Sequence, residues 1–464
     1  MPMDSNMEKP KKRRSLVEMD LCSGSIAGKM LLFALPLMLS NVLQLMFNAA
    51  DLVVVGRACG DAAIAAVGSN GSMINLLTNL FMGLSVGVNV LASHYYGAGD
   101  HERLSKTVHT SILLAAFSGL LLTLVGEIGA KQLLILMSTP EEVLPLAVIY
   151  LRIYFLGMIP MMIYNFGSAL LRSIGDTFRP LIYLGISGFV NLGLNILFVL
   201  VFHMGVDGVG YATVISQFLS GAAILVTLCL ERSDMHLSLK ALRPDKAILW
   251  KIITVGIPAG LQGVVFSLSN VVIQSSVNSF DDTLIVTGNT AAQNLEGFAY
   301  VGMNCFYHAA LSFTGQNLGA GRYDRIKRIA VIGQIYVFLA GLILGCGLYQ
   351  LSPSLLRIYT DNPVSVDAGR VRLLIIGNTY YLCGMMDVTV GCLRGLGRSV
   401  LPTIISLVGA CGLRILWLMT LFRMPMFHTT MMIYITYPVS WFVTFTAQMI
   451  LLLITYNKLI KKAR

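Results

Sequence analysis

Few residues in this chain can do chemistry, and they sit where chemistry is costly. Asp51 closes a long apolar run, and Asn41, Gln44 and Asn48 precede it at steps of three or four residues. That spacing places all four on one face of a helix. Asn191 and Asn195 stand four apart in a later apolar run, and Thr213 follows in the next. Glu296 and Asp387 interrupt two further runs. An ionised carboxylate at mid-bilayer costs about 2.5–3.5 kcal/mol on insertion scales, so such a group normally faces a cavity and has a task. The task that fits is taking up and releasing a proton or a small cation. Oxygens of Asp51, Asn191, Asn195 and Thr213 could converge on either, because hard cations favour oxygen ligands. The competing readings are headgroup solvation for Asp51 and plain helix–helix hydrogen bonding for the rest. Arg152 and Arg414 also fall inside apolar runs, as partners for such acids or as side chains reaching for an interface.

The elements that carry these residues follow from composition. Of 464 residues, 56% are hydrophobic and only 12% charged, with a mean hydropathy of +0.74. Soluble domains carry about 25% charged residues. A chain this apolar takes the bilayer as its solvent, and a span needs roughly 20 apolar residues. Twelve runs qualify, at 28–52, 63–93, 107–127, 143–169, 181–203, 208–230, 249–278, 286–315, 328–350, 370–392, 402–422 and 431–456. All are expected to be helical, because lipid offers no partner to an unpaired backbone group. Pro36, Pro160 and Pro258 fall inside runs and are expected to kink them.

The chain also repeats itself. A shift of 222 positions carries Pro36 onto Pro258, Asn48 onto Asn270, Gly97-Ala98-Gly99 onto Gly319-Ala320-Gly321, and Arg103 onto Arg325. The same shift carries Asn165 onto Asp387, Leu171-Arg172 onto Leu393-Arg394, Gly175 onto Gly397, and Pro180 onto Pro402. A neutral amide in one copy facing an acid in the other makes Asn165 and Asp387 a pair with divided roles. Six spans per copy leave both copies in the same orientation, the parallel-repeat plan of secondary transporters with a site between the halves. The expected organisation is an N-terminal tail (1–25, mobile), a first lobe (26–230), a linker (231–248), a second lobe (249–456) and a C-terminal tail (457–464). The fold class is therefore an all-α membrane protein of twelve transmembrane helices, in two parallel-repeat six-helix bundles around a central cleft.

Basic residues set the orientation. Of 33 Lys and Arg, 25 lie in the tails and alternate loops on one side and six on the other. Both termini are expected in the cytoplasm of a cell membrane. The run Lys11-Lys12-Arg13-Arg14 reads as a topology or anionic-lipid signal beside a multi-span segment; no nucleic acid is expected. The eight cysteines are scattered without a C-x-x-C, and His94, His101 and His109 lack partners at metal spacing. Phosphate-loop, dinucleotide and nucleophile-elbow motifs are not found. The chain reads as a transporter rather than an enzyme, with no cofactor and no catalytic residue.

These motifs resemble the multidrug and toxic compound extrusion (MATE) family, from about Leu32 to Leu453. The likeness rests on Gly315-Gln316-Asn317-Leu318-Gly319-Ala320-Gly321 with its echo Tyr95-Tyr96-Gly97-Ala98-Gly99. It rests also on Leu171-Arg172-Ser173-Ile174-Gly175-Asp176 with its echo Leu393-Arg394-Gly395-Leu396-Gly397-Arg398, and on the stretch from Pro36 to Asp51. The resemblance implies two lobes around a cleft that opens alternately to each side, exchanging small cationic amphiphilic drugs or toxins for protons or sodium; a monomer is expected. It implies that Asp51 binds the coupling ion with Asn191 and Thr213, where a sodium ion would also sit. A second acid of archaeal members falls on Asn195, which cannot ionise. A glutamate that some bacterial members carry after the seventh-span proline is replaced by Phe266-Ser267, and their tenth-span aspartate is matched with a shift by Asp387. Gln44, Asn48, Asn165, Glu296 and Asp387 form the expected substrate or second acid site. The alternatives are a flippase for lipid-linked oligosaccharides and a polytopic membrane enzyme. A flippase would need a basic cleft, whereas the intramembrane polar set reads as mainly acidic and amide.

Overall fold

The computed structural model describes residues 19–137 and 139–463. The described chain is helical, without a strand. Twelve long units follow one another: α1 (Ile26–Cys59), α2 (Asp61–Ala98), α3 (His101–Leu136), α4 (Leu144–Leu156 with Met158–Ser173), α5 (Phe178–Val201) and α6 (Val206–Leu230). Then come α7 (Lys246–Asn278), α8 (Thr283–Gly319), α9 (Tyr323–Gln350), α10 (Pro363–Gly377 with Tyr381–Gly395), α11 (Val400–Arg423) and α12 (Thr430–Ala463). Nine described helices are apolar and long enough to cross a membrane alone, and α4 and α10 qualify as pairs bent by 49° and 42°. The twelfth, α8, runs 37 residues but carries more polar side chains.

Most helices run beyond the apolar spans that announce them. α3 covers His101–Leu136 where hydropathy marks 107–127. α4 continues to Ser173, which takes Arg172 from an expected loop into a helix. The bend in α4 has a local cause: the ring of Pro160 excludes the carbonyl four residues back, that of Leu156, and the helix breaks at Gly157. Pro36 and Pro258 do not break α1 or α7. The outer surface exposes Phe117, Ile128, Phe189, Phe218, Ile343 and Phe442, an apolar belt that only lipid tails can cover.

The two bundles meet through glycines. Gly83 and Gly87 on α2 face Gly256 and Gly260 on α7 so closely that a Cβ on Gly83 would lie 2.1 Å from the Gly260 nitrogen. Nearer the chain ends, a Cβ on Gly97 would lie 2.0 Å from the Gln316 carbonyl oxygen, and one on Gly319 would lie 2.0 Å from that of His94. A Cβ added at Gly68 or Gly71, further along α2, would meet only open space. The helices are thus pressed together towards the side of the chain ends and part on the other side, which leaves a V.

Hydrogen bonds close the sealed side. Ser312 donates to Asn89 Oδ1 at 3.0 Å, and Gln316 Nε2 to the Ser173 carbonyl at 2.6 Å. The segment before α1 is part of this seal. Leu21 is fully buried, its N–H donates to Gln316 Oε1 at 3.2 Å, and its carbonyl accepts from Asn317 Nδ2 at 3.1 Å. Residues 19–25 are therefore docked, against the expectation of a mobile tail, because they cap polar groups that would otherwise be orphaned between the bundles. The Lys11–Arg14 run and Arg464 lie outside the described residues.

Gly83→Val inserts a branched side chain where backbone already touches backbone. The expected cost is about 1–3 kcal/mol; the detergent-solubilised protein should melt several degrees lower and transport should fail. An unchanged melting midpoint would contradict this packing.

Candidate functional site

The V encloses a cleft of about 830 Å³, lined from both bundles. On its first wall α1 presents Asn41, Gln44, Asn48 and Asp51 to the cleft, as the polar stripe requires. Behind Asp51, α5 supplies a fully buried Asn195 whose Nδ2 donates to Asp51 Oδ1 at 2.5 Å and to Asn191 Oδ1 at 3.2 Å. Asn191 Nδ2 reaches Thr213 Oγ1 on α6 at 3.5 Å. Residues from three helices so form one connected cluster, with Tyr150 and Tyr154 of α4 on the same wall. A buried acceptor, Asn195 Oδ1, has no partner in it.

The second wall holds the other acids. Asp387 on α10 faces the cleft, within hydrogen-bonding reach of Tyr300 and electrostatic reach of Arg394. Asn165, its counterpart in the first repeat, also lines the cleft and donates to the Met161 carbonyl at 2.9 Å. Glu296 lines it too, but both its oxygens are engaged by Arg372, at 2.8 and 2.7 Å, and Arg372 also donates to Asn289 Oδ1 at 2.8 Å.

Four arginines line the cleft: Arg172, Arg372, Arg394 and Arg414. Acids and amides still outnumber these four cations in the lining, but the cations stand among them. Hydropathy read Arg172 and Arg394 as loop residues and left Arg372 at the edge of a span; the longer α4 and α10 carry all three inward. Among the described residues Arg414 pairs with no acid; it donates to Ser440 at 2.7 Å and lies 4.2 Å over the Tyr437 ring. Arg152 is exposed on the outer surface, in keeping with a side chain reaching for an interface. The signal that sequence reasoning passed over is the repeat itself, since Arg172 and Arg394 occupy equivalent positions. Among the described residues no cluster of His, Cys, Asp and Glu is arranged to hold a metal ion.

Two parallel-repeat bundles of six helices around a polar cleft define a membrane transporter. The chain belongs to the MatE family, whose pattern matches it twice, at residues 36–197 and 258–419, one match per repeat. It is 28% identical to a probable multidrug resistance protein, YoeA, of Bacillus subtilis (strain 168), over 84% of this chain and 86% of that one. It is 23% identical to an FAD transporter of Shewanella oneidensis, over 83% of this chain and 86% of the other. A Pyrococcus furiosus transporter of the MOP superfamily, described as having a binding pocket of reverse polarity, superposes with a TM-score of 0.89. That match spans 95% of this chain and 98% of that one at 20% identity, a likeness of fold alone.

Removing one partner of the Glu296–Arg372 pair strands a buried charge. Glu296→Ala should cost about 3–5 kcal/mol, and the double change Glu296→Leu with Arg372→Met should recover most of it. Thermal unfolding of the two variants checks this; equal losses in the single and double variants would show that the pair does not act as a unit.

Proposed function

We propose that this chain exports organic amphiphiles in exchange for protons, by alternating access across a cell membrane with both termini in the cytoplasm. The observation that carries the reading is the placing of one carboxylate, Asp51, on the cleft wall with an amide donor behind it. Asn195 presents an N–H to that carboxylate, a contact that suits an acid cycling between charged and neutral forms. With an N–H rather than an oxygen turned towards the acid, the proton is the coupling ion we prefer.

Competition supplies the mechanism. A cargo cation and a proton both draw on the field of the same acids, Asp51 on one wall and Asp387 on the other. Loading either weakens the hold on its rival, because a neutralised carboxylate no longer attracts. The seal between α2, α7 and α8 keeps the loaded site from meeting both compartments at once. The basic-residue count puts the sealed side in the cytoplasm, so the V is the outward-open state, in which cargo leaves and a proton enters. The tyrosines on the walls offer faces to aromatic cations. The names of the relatives, drug resistance proteins among them, support an organic small molecule as cargo. One chain contains every part this cycle needs. The proposed organisation keeps a first lobe at 26–230, a linker at 231–248 and a second lobe at 249–456.

Reconstituted in vesicles, the protein should drive uptake of ethidium when a proton gradient is imposed, and Asp51→Asn should abolish that uptake while the melting midpoint stays within a few degrees. Replacing sodium with choline should leave the rate unaltered. Uptake by Asp51→Asn at the native rate would remove Asp51 from the coupling step, and dependence on sodium would replace the proton.

A further inference from the structure

The floor of the cleft, just above the seal, is positively charged without a compensating acid. Arg172 and Arg394 are repeat equivalents at the chain-end side of α4 and α10. They flank Tyr307 and His308 of α8, with both guanidinium groups in electrostatic range of the imidazole. Arg394 is buried. It donates to Tyr307 Oη and Gln262 Oε1, each at 2.8 Å, and lies 5.8 Å over the Tyr307 ring. Neither arginine makes an ion pair with an acid among the described residues. The Nε atoms of both are buried and have no hydrogen-bond partner. A guanidinium held in a water-excluding site is normally matched by a carboxylate or phosphate. Asp387, two turns from Arg394 on α10, stands in its field without touching it.

We infer that Arg172 and Arg394 form an oxyanion site on the floor of the cleft, which takes the carboxylate or phosphate of an aromatic amphiphile. The inference rests on the reading of this cleft as the cargo site and extends the cargo to molecules that also carry an anionic end. Such a molecule stands with its anion between the two arginines and its rings against Tyr307. A cationic group further up the same molecule would reach the acids on the walls. An anion held there would bridge the bundles, because one arginine comes from each.

A matched pair of dyes isolates the anionic group. Rhodamine 110 carries a free carboxylate, and rhodamine 123 is its methyl ester. Fluorescence-polarisation titration of the full-length protein in detergent should give a Kd about tenfold lower for the carboxylate dye, the factor expected of one charge-assisted contact. Arg172→Gln should bring the ratio of the two Kd values close to one, and Arg172→Lys should retain part of the preference. Arg172 gives no hydrogen bond that glutamine would lose, and a thermal melt checks that the variant is folded. Displacement of rhodamine 110 by 1-naphthoate or by 1-naphthyl phosphate, with 1-naphthol inactive, supports the site, and the stronger of the two identifies the preferred anion. A ratio near one in the native protein overturns the inference, as does a ratio unmoved in folded Arg172→Gln or equal displacement by 1-naphthol. Failure of the transport reading looks different: the dye preference holds, but no gradient moves either dye.

Discussion

The close approach of backbone to backbone along α2 is the constraint from which the rest follows. Gly83 and Gly87 let α7 in, and Gly97 with Gly319 let α8 in, at distances no side chain would permit. In lipid there is no hydrophobic drive to pair helices, so association relies on close packing of small residues and on polar contacts between them. Both are present between the two bundles, where they form a seam in the part near the chain ends. Because the seam covers only that part, the other ends of the bundles diverge, and the divergence is the cleft.

A cleft of this kind changes what polar groups cost. Within hydrocarbon an uncompensated charge is expelled or neutralised, while beside a polar hollow it can be kept. The chain uses three solutions side by side. Glu296 and Arg372 satisfy one another and fix α8 against α10. Asp51 is held by an amide, which leaves it free to change its charge. Arg172 and Arg394 stay without an acid, shared between tyrosine, glutamine and space. The first is a structural element, and the other two have capacity left for a ligand.

Much of this was legible from the residues alone. The stripe from Asn41 to Asp51 faces the cleft as its helical spacing demands, and the pair Asn191 and Asn195 meets Thr213. The segments Gly83-x-x-x-Gly87 and Gly256-x-x-x-Gly260 are plain in the sequence, but only the structure showed that they face one another. What could not be read was the inward turn of the arginines. Hydropathy places a helix end where apolar residues stop, and α4 and α10 continue a turn or more past that point. It likewise gave Glu296 no partner, since Arg372 lies 76 positions away and belongs to a helix whose start is polar.

By itself the sequence determined the solvent, the helical state, the duplication and the residues that could carry a charge through a membrane. Each of these depends on local composition or on a fixed offset along one chain. Only the tertiary structure decided which charges neutralise one another, which side of the molecule is sealed, and that acids and arginines share a single hollow. Those are matters of distance between helices, set by how small the residues at a crossing are and by which groups then find a partner within about 3 Å.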